Sequence, residues 1–210
     1  MKHMLLHRTL YIRFLSLYTL AAALFLVAWA LSYFLLPEGV LRGRTGAQLL
    51  AGSEAADSFL AEWLRIAAIN LTVGILFVVG PNFLRSYGYP MGYATPLTWA
   101  ILYAIYLGTN SFTFPLPEGK MPPSLAVLGR SGPYEIGAYI IAAVATYSLP
   151  RYELKGRWLR DRIQSISPAD RRALTKEQWV GLGVAVIILL VANAWEAYRI
   201  VAQYAVGSGT

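Results

Sequence analysis

Cysteine is absent from the 210 residues, so the chain has no disulfide, no thiol nucleophile and no thiolate metal site. Histidine is nearly absent. His3 and His7 both lie in the N-terminal tail, which leaves no histidine in the apolar body for acid–base work or metal binding. Charge is scarce: Asp, Glu, Lys and Arg make up 14% of the chain, against roughly 25% in soluble domains. Hydrophobic residues take their place at 57%, with a mean hydropathy of +0.49. This balance argues for a membrane protein. Proline is missing from the interior of every long apolar run. All eleven prolines fall between runs or at their starts, and a proline inside a span would break it. No catalytic residues, no cofactor and no metal site are expected, and the chain does not read as an enzyme.

What is present is a set of five apolar runs, residues 14–36, 63–80, 96–111, 133–149 and 179–201. Runs of this length and apolarity read as membrane-spanning helices. The expected fold is all-α, a polytopic bundle of five transmembrane helices forming one integral membrane domain over residues 1–210. The first run has Tyr18 near one end and Trp29, Tyr33 and Phe34 near the other, the aromatic belts of a span. It is longer than the roughly 7–15 residues of a signal-peptide core and no small-residue cleavage site follows, so it reads as a retained helix. Ser53-Glu54 is placed to open a short helix ahead of the second run, with Ser53 as its N-cap. That run stops at Gly80-Pro81 and carries Asn70. Residues 82–95 read as a turn-rich connection. Thr95-Pro96 reads as an N-cap followed by proline in the first turn of the third run, which closes near Asn110. Residues 114–131, with four prolines, read as an extended loop lying over helix ends.

The fourth run holds a carboxylate, Glu135, just after Pro133. On a helical wheel it lines up with Ala138, Ala142 and Thr146. Small residues at this spacing let another helix approach closely, so Glu135 points into protein. A carboxylate there is expensive and is a functional-site hypothesis by default. Residues 151–176 then gather eight basic residues, from Arg151 to Lys176. They read as a cytoplasmic loop facing anionic lipid and not as a nucleic-acid surface. Ser167-Pro168-Ala169-Asp170 reads as a helix start leading into the fifth run.

The net charge of +7 resides in the connections, where basic residues mark the cytoplasmic side. The basic tail and the basic loop agree across five spans: N-terminus inside, C-terminus outside, in the cell membrane. Depth then sorts the polar residues. Asn70, Asn110, Glu135, Asn193 and Glu196 gather in the outer half and form the expected intramembrane polar site. Arg85 and Asn82 stand nearly alone on the inner side, and the first span, with no buried polar group, reads as peripheral. Two carboxylates with amide oxygens can bind a hard cation or share a proton. The alternative is that Glu135 and Glu196 cap helix ends or pair with Arg65, Arg130 or Arg199.

With these residues placed, the chain resembles the stage II sporulation protein M family of small integral membrane proteins. The resemblance rests on Ile69-Asn70-Leu71-Thr72-Val73-Gly74, on Gly132-Pro133-Tyr134-Glu135-Ile136 followed by Ala142-Ala143, and on Leu189-Leu190-Val191-Ala192-Asn193-Ala194-Trp195-Glu196-Ala197. It covers about residues 60–200. Where the family usually has His before the Gly of Gly-x-x-Glu, this chain has Ser131. The resemblance implies a non-enzymatic scaffold or assembly partner, with membrane or envelope proteins as partners. The family also occurs in organisms that do not sporulate, so sporulation itself is not implied. The alternative function is a small transporter or ion-conducting protein built on Glu135 and Glu196. The expected partners are the lipid bilayer and a second copy, because the small-residue stripes of the fourth and fifth runs suit a homodimer.

Overall fold

The computed structural model describes residues 2–46, 56–155 and 162–207. Five main helices carry the fold: α1 (Leu10–Leu35), α2 (Phe59–Gly74), α3 (Ala94–Thr109), α4 (Gly132–Ala145) and α5 (Lys176–Gly207). Three segments are long and apolar enough to cross a membrane: Leu10–Leu35, Phe59–Phe83 and Lys176–Ala202. The other two do not reach that length. α3 has 16 residues and α4 has 14, or about 24 and 21 Å at 1.5 Å per residue, short of the roughly 30 Å hydrocarbon core. Of the five expected spans, three are helices of spanning length and two, α3 and α4, are shorter. The large side chains on the outside of the long helices are apolar: Leu26, Val27 and Leu31 on α1, Leu64 on α2, Ile187 and Val191 on α5. This surface is compatible with a lipid surround.

The all-α expectation also needs correction. Four short strands, β1 (Leu84–Ser86), β2 (Tyr89–Pro90), β3 (Tyr152–Lys155) and β4 (Arg162–Ser165), form one sheet in the order β2-β1-β3-β4. β1 pairs antiparallel with β2 and parallel with β3, and β3 pairs antiparallel with β4. The sheet ties the exits of α2 and α4 together. Arg151 N donates to the Phe83 carbonyl at 2.8 Å, leading directly into the β1–β3 pairing.

The exit of α2 shows how proline is accommodated. After Gly74 the helix widens into a π-turn, Ile75–Val79, then tightens into a 3-10 turn, Gly80–Phe83. Pro81 has no N–H to give the Phe77 carbonyl four residues back. The Thr95 hydroxyl donates to that carbonyl instead. Thr95 is therefore not the N-cap expected of it: α3 begins one residue earlier, at Ala94. Buried Asn82 completes the joint. Its Nδ2 donates to the Ala143 carbonyl at 2.8 Å and to Thr146 Oγ1 at 2.6 Å, and its Oδ1 accepts from Gly92 N at 2.8 Å.

α5 starts later than Ser167-Pro168-Ala169-Asp170 suggests. Those residues make a separate 3-10 turn, Pro168–Asp170, and the chain runs on without helix to Thr175. The helix opens on a reciprocal cap: Gln178 N donates to Thr175 Oγ1 at 3.3 Å, and Thr175 N donates to Gln178 Oε1 at 2.9 Å. This is the Thr-x-x-Gln form of the capping box. The helix expected at Ser53-Glu54 lies outside the described residues, as do Arg157 and Arg160 of the basic loop.

α1 is not peripheral. It packs along α3, where Gly108 lets the two backbones close: a Cβ there would sit 2.2 Å from Ser32 Oγ and 2.8 Å from Tyr33 N. Trp29, expected in an interfacial belt, is buried, and its indole N–H donates to the Met121 carbonyl at 2.7 Å. That bond pins residues 114–131 over the end of α1 and α3, with Leu116, Met121 and Val127 buried beneath. α1 also carries a buried arginine. Arg13 Nη1 donates to the carbonyls of His7 and Arg8 at 2.6 and 2.8 Å, and Nη2 to that of Val144 at 3.1 Å. Its guanidinium lies 4.5 Å from the centre of the Tyr147 ring. This end of the bundle is thus more polar than the sequence suggests.

Candidate functional site

Three helices deliver the polar residues of the other end. Ser58 caps α2, accepting from Ala61 N at 3.3 Å. The cap sets Glu62 in the first turn, where a carboxylate suits the helix dipole. Glu62 is fully buried, accepting from Arg65 Nη2 at 2.6 Å and from Ala56 N at 2.8 Å. Pro133 opens α4 and places Glu135 in its first turn. α5 brings Asn193 and Glu196 three residues apart, hence on one face.

The side chains then meet in two linked pairs. Asn70 Nδ2 donates to Asn193 Oδ1 at 2.8 Å, joining α2 to α5. The Glu135 and Glu196 carboxyls are near enough to act on each other electrostatically, across α4 and α5. Tyr139, one turn after Glu135, donates its hydroxyl to the Asn70 carbonyl at 3.2 Å and connects the pairs. Tyr103 of α3 closes another side, its ring packed where a Cβ on Gly132 would sit 2.2 Å away. Its hydroxyl feels Glu135 and Glu196 along with Arg130 and Arg199.

Two buried atoms in this group have no hydrogen-bond partner: Glu135 Oε1 and Asn193 Nδ2. Asn193 itself is fully buried. Such atoms are rare, because each forfeits its hydration without replacement. The basic residues that were candidates to neutralise the carboxyls have other oxygen partners, although Arg130 Nε is itself buried without one. Arg65 pairs with Glu62, Arg130 with Glu118 at 2.6 Å, and Arg199 Nη1 donates to the Gly129 carbonyl at 3.3 Å. Among the described residues no salt bridge involves Glu135 or Glu196.

The structure therefore brings Asn70, Glu135, Asn193 and Glu196 together and leaves Asn110 out. Asn110 is the C-cap of α3, with φ at 49° in the left-handed region that Asn tolerates. Its side chain bonds Glu38 Oε1 at 2.7 Å and both backbone groups of Leu116, and its carbonyl accepts from Arg42. All of this fastens loops. Sequence reasoning missed Glu62, because the second run was started at Trp63, four residues after the helix begins at Phe59. Its signal was the Glu-x-x-Arg spacing to Arg65 at the depth of Glu196, whose carboxyl it acts on. Tyr103 and Tyr139 carried no signal beyond being aromatic.

No group of three or more carboxylates or other acidic, thiol or imidazole ligands able to hold a metal occurs among the described residues. No family model, curated protein or solved structure matches this chain.

Proposed function

We propose that the chain is a five-span integral membrane protein of the cell membrane that moves a small cation or a proton, with the Glu135–Glu196 pair as its binding site. The observation that carries the reading is two neighbouring carboxyls on α4 and α5, with Glu135 Oε1 buried and unpartnered and no salt bridge to either acid among the described residues. A membrane interior tolerates ionisable groups poorly, and those kept there mark ion pathways and proton relays. α3 and α4 serve as short spans in this reading. Protein packing surrounds much of them, with Ala104, Leu107, Ile140, Ala143 and Val144 at zero exposure, and non-helical continuations at membrane depth are tolerated where protein buries them.

Liposomes containing the purified protein and a pH- or cation-sensitive dye test it. Under an imposed gradient the unmutated protein is expected to collapse the gradient at least about tenfold faster than empty liposomes. Glu135→Gln, which keeps size and hydrogen bonding, is expected to remove that difference. Leakage equal in the two preparations overturns the reading.

The orientation, N-terminus inside and C-terminus outside, is a separate expectation from the basic residues. Reporter fusions at Gln164 and at the C-terminus should report opposite sides, and the same side for both removes a span.

The resemblance to the stage II sporulation protein M family supports a second reading, a non-enzymatic assembly partner. The exposed α5 face of Val184, Ile187, Val191, Trp195 and Tyr198 is the surface it would use. The homodimer loses one support: Ala138, Ala185 and Ala192 of the small-residue stripes are buried within the single chain.

A further inference from the structure

We propose that one anionic phospholipid binds where α1 begins, with an acyl chain in a cavity beside the β1–β2 hairpin and its phosphate against Arg85, backed by Arg13. The site is separate from the Glu135–Glu196 pair, which lies at the start of α4, whereas Arg13 bonds Val144 at its end. The cavity has a volume of about 330 Å³, within the roughly 300–1,000 Å³ of small-molecule sites. Leu5, Leu17, Leu20, Pro90, Met91 and Leu97 line it. Leu5 and Leu17 are buried while Met91 is exposed, so the cavity reaches the surface next to the hairpin. An apolar cavity opening there suits an acyl chain and not a free polar ligand.

Two arginines stand at its edge. Arg85 lies opposite Pro90 in the hairpin and next to Ser86, and both of these line the cavity. Arg13 precedes Leu17 by four residues on α1 and so shares its face. The two guanidiniums lie against one ring, 4.5 and 5.9 Å from the centre of Tyr147. Each arginine keeps a buried Nε without a hydrogen-bond partner. Arg65 and Arg130 do the same, but each of those has a carboxylate, Glu62 or Glu118. Among the described residues Arg13 and Arg85 have none. Arg13 is 2% exposed, and its Nη groups are spent on the carbonyls of His7, Arg8 and Val144, which carry no net charge. Glu153 is the register neighbour of Arg85 on β3, and its salt bridge is to Lys155 at 3.7 Å. Neighbouring cations kept from water call for a counter-charge. Phosphate matches the planar fork of a guanidinium, and basic pockets at helix ends take anionic lipid headgroups. A phosphate carried on acyl chains satisfies both halves of the site at once.

Native mass spectrometry of the full chain in micelles tests the proposal, with phosphatidylglycerol and phosphatidylcholine of identical acyl chains offered in equal amounts. One phosphatidylglycerol is expected to bind about tenfold tighter than phosphatidylcholine, the effect of two basic residues on one anionic headgroup. Arg85→Gln should bring the two lipids close to equality. Leu20→Trp, which fills the cavity from a half-buried position, should weaken both lipids alike. Changing the exposed Arg171 and Arg172 together to Gln should alter neither. Equal retention of the two lipids by the unmutated protein overturns the proposal, and that result needs no variant to fold. A preference that survives Arg85→Gln overturns it as well, as does one that the Arg171 and Arg172 changes remove, which places it on the basic loop. Full retention of both lipids by Leu20→Trp removes the acyl chain from the cavity. Displacement of phosphatidylglycerol by an equal concentration of inorganic phosphate reveals a site for the anion alone and overturns the lipid assignment.

Discussion

Gly92→Ala is expected to cost the protein about 10 °C or more in melting temperature. The side chain it adds has nowhere to go. A Cβ on Gly92 would lie 2.1 Å from the Val78 carbonyl oxygen and 2.4 Å from Asn82 Oδ1. The first contact is with backbone and cannot be relieved by a rotamer change. The turn Met91–Tyr93 must retreat from the exit of α2, and retreat breaks the Gly92 N bond to Asn82. Asn82 also holds Ala143 and Thr146, so the fault spreads to the end of α4. Overpacking costs about 1–3 kcal/mol and each buried polar group left unpaired about 1–3 kcal/mol. At about 2–4 °C per kcal/mol for a chain of this size, the two effects at mid-range, about 4 kcal/mol together, correspond to about 12 °C. Tryptophan fluorescence during heating in mild detergent measures it. Gly183→Ala is the control. Nothing lies within 4 Å of its added Cβ, and in an exposed helical position alanine is favoured by about 1 kcal/mol. Equal melting temperatures for Gly92→Ala and the unmutated protein would mean that the α2 exit is not closed in this way.

The helices were legible because apolar length is a one-dimensional signal. Proline spacing marked their ends to within a few residues, and Glu135 stood out as a charge in an apolar run. What packs against what was not legible. The helices are apolar all round, so exposed Leu31 and buried Leu17 look alike in sequence. Arg13 reads as one more basic residue of the tail until the chain brings Val144 and Tyr147 to it from the far side of the fold. The sheet was invisible for a different reason. Its strands are two to four residues long, too short for a period of two to show, and their pairing is decided by where α2 and α4 release the chain. Asn110 illustrates the limit of sorting by depth. It ends α3 seven residues beyond Tyr103, about 10 Å further along the helix axis, where Glu38 and Leu116 use it as a cap.

Glu135→Gln and Glu196→Gln should not act independently. The carboxyls act on one another across α4 and α5, and interacting residues show coupling energies of about 0.5–3 kcal/mol in double-mutant cycles. Either single change turns two acidic groups into one acid and one amide. The amide N–H₂ then donates to the remaining carboxyl, so each single variant keeps a hydrogen bond with one acidic group fewer. The double variant faces amide with amide and gains nothing further. The second substitution is therefore expected to have a much smaller effect on melting temperature than the same substitution made alone, with a coupling of about 1 kcal/mol or more. Melting curves of the four proteins in one lipid or detergent close the cycle. Asn110→Ala belongs beside them as an outside reference. Its partners are Glu38 and Leu116, so its effect should add to that of Glu135→Gln without coupling. Additive behaviour of Glu135 and Glu196, equal to that of the Asn110 reference, would separate the two acids. The pair would then be two helix contacts, and neither proton nor cation would have a shared site in this bundle.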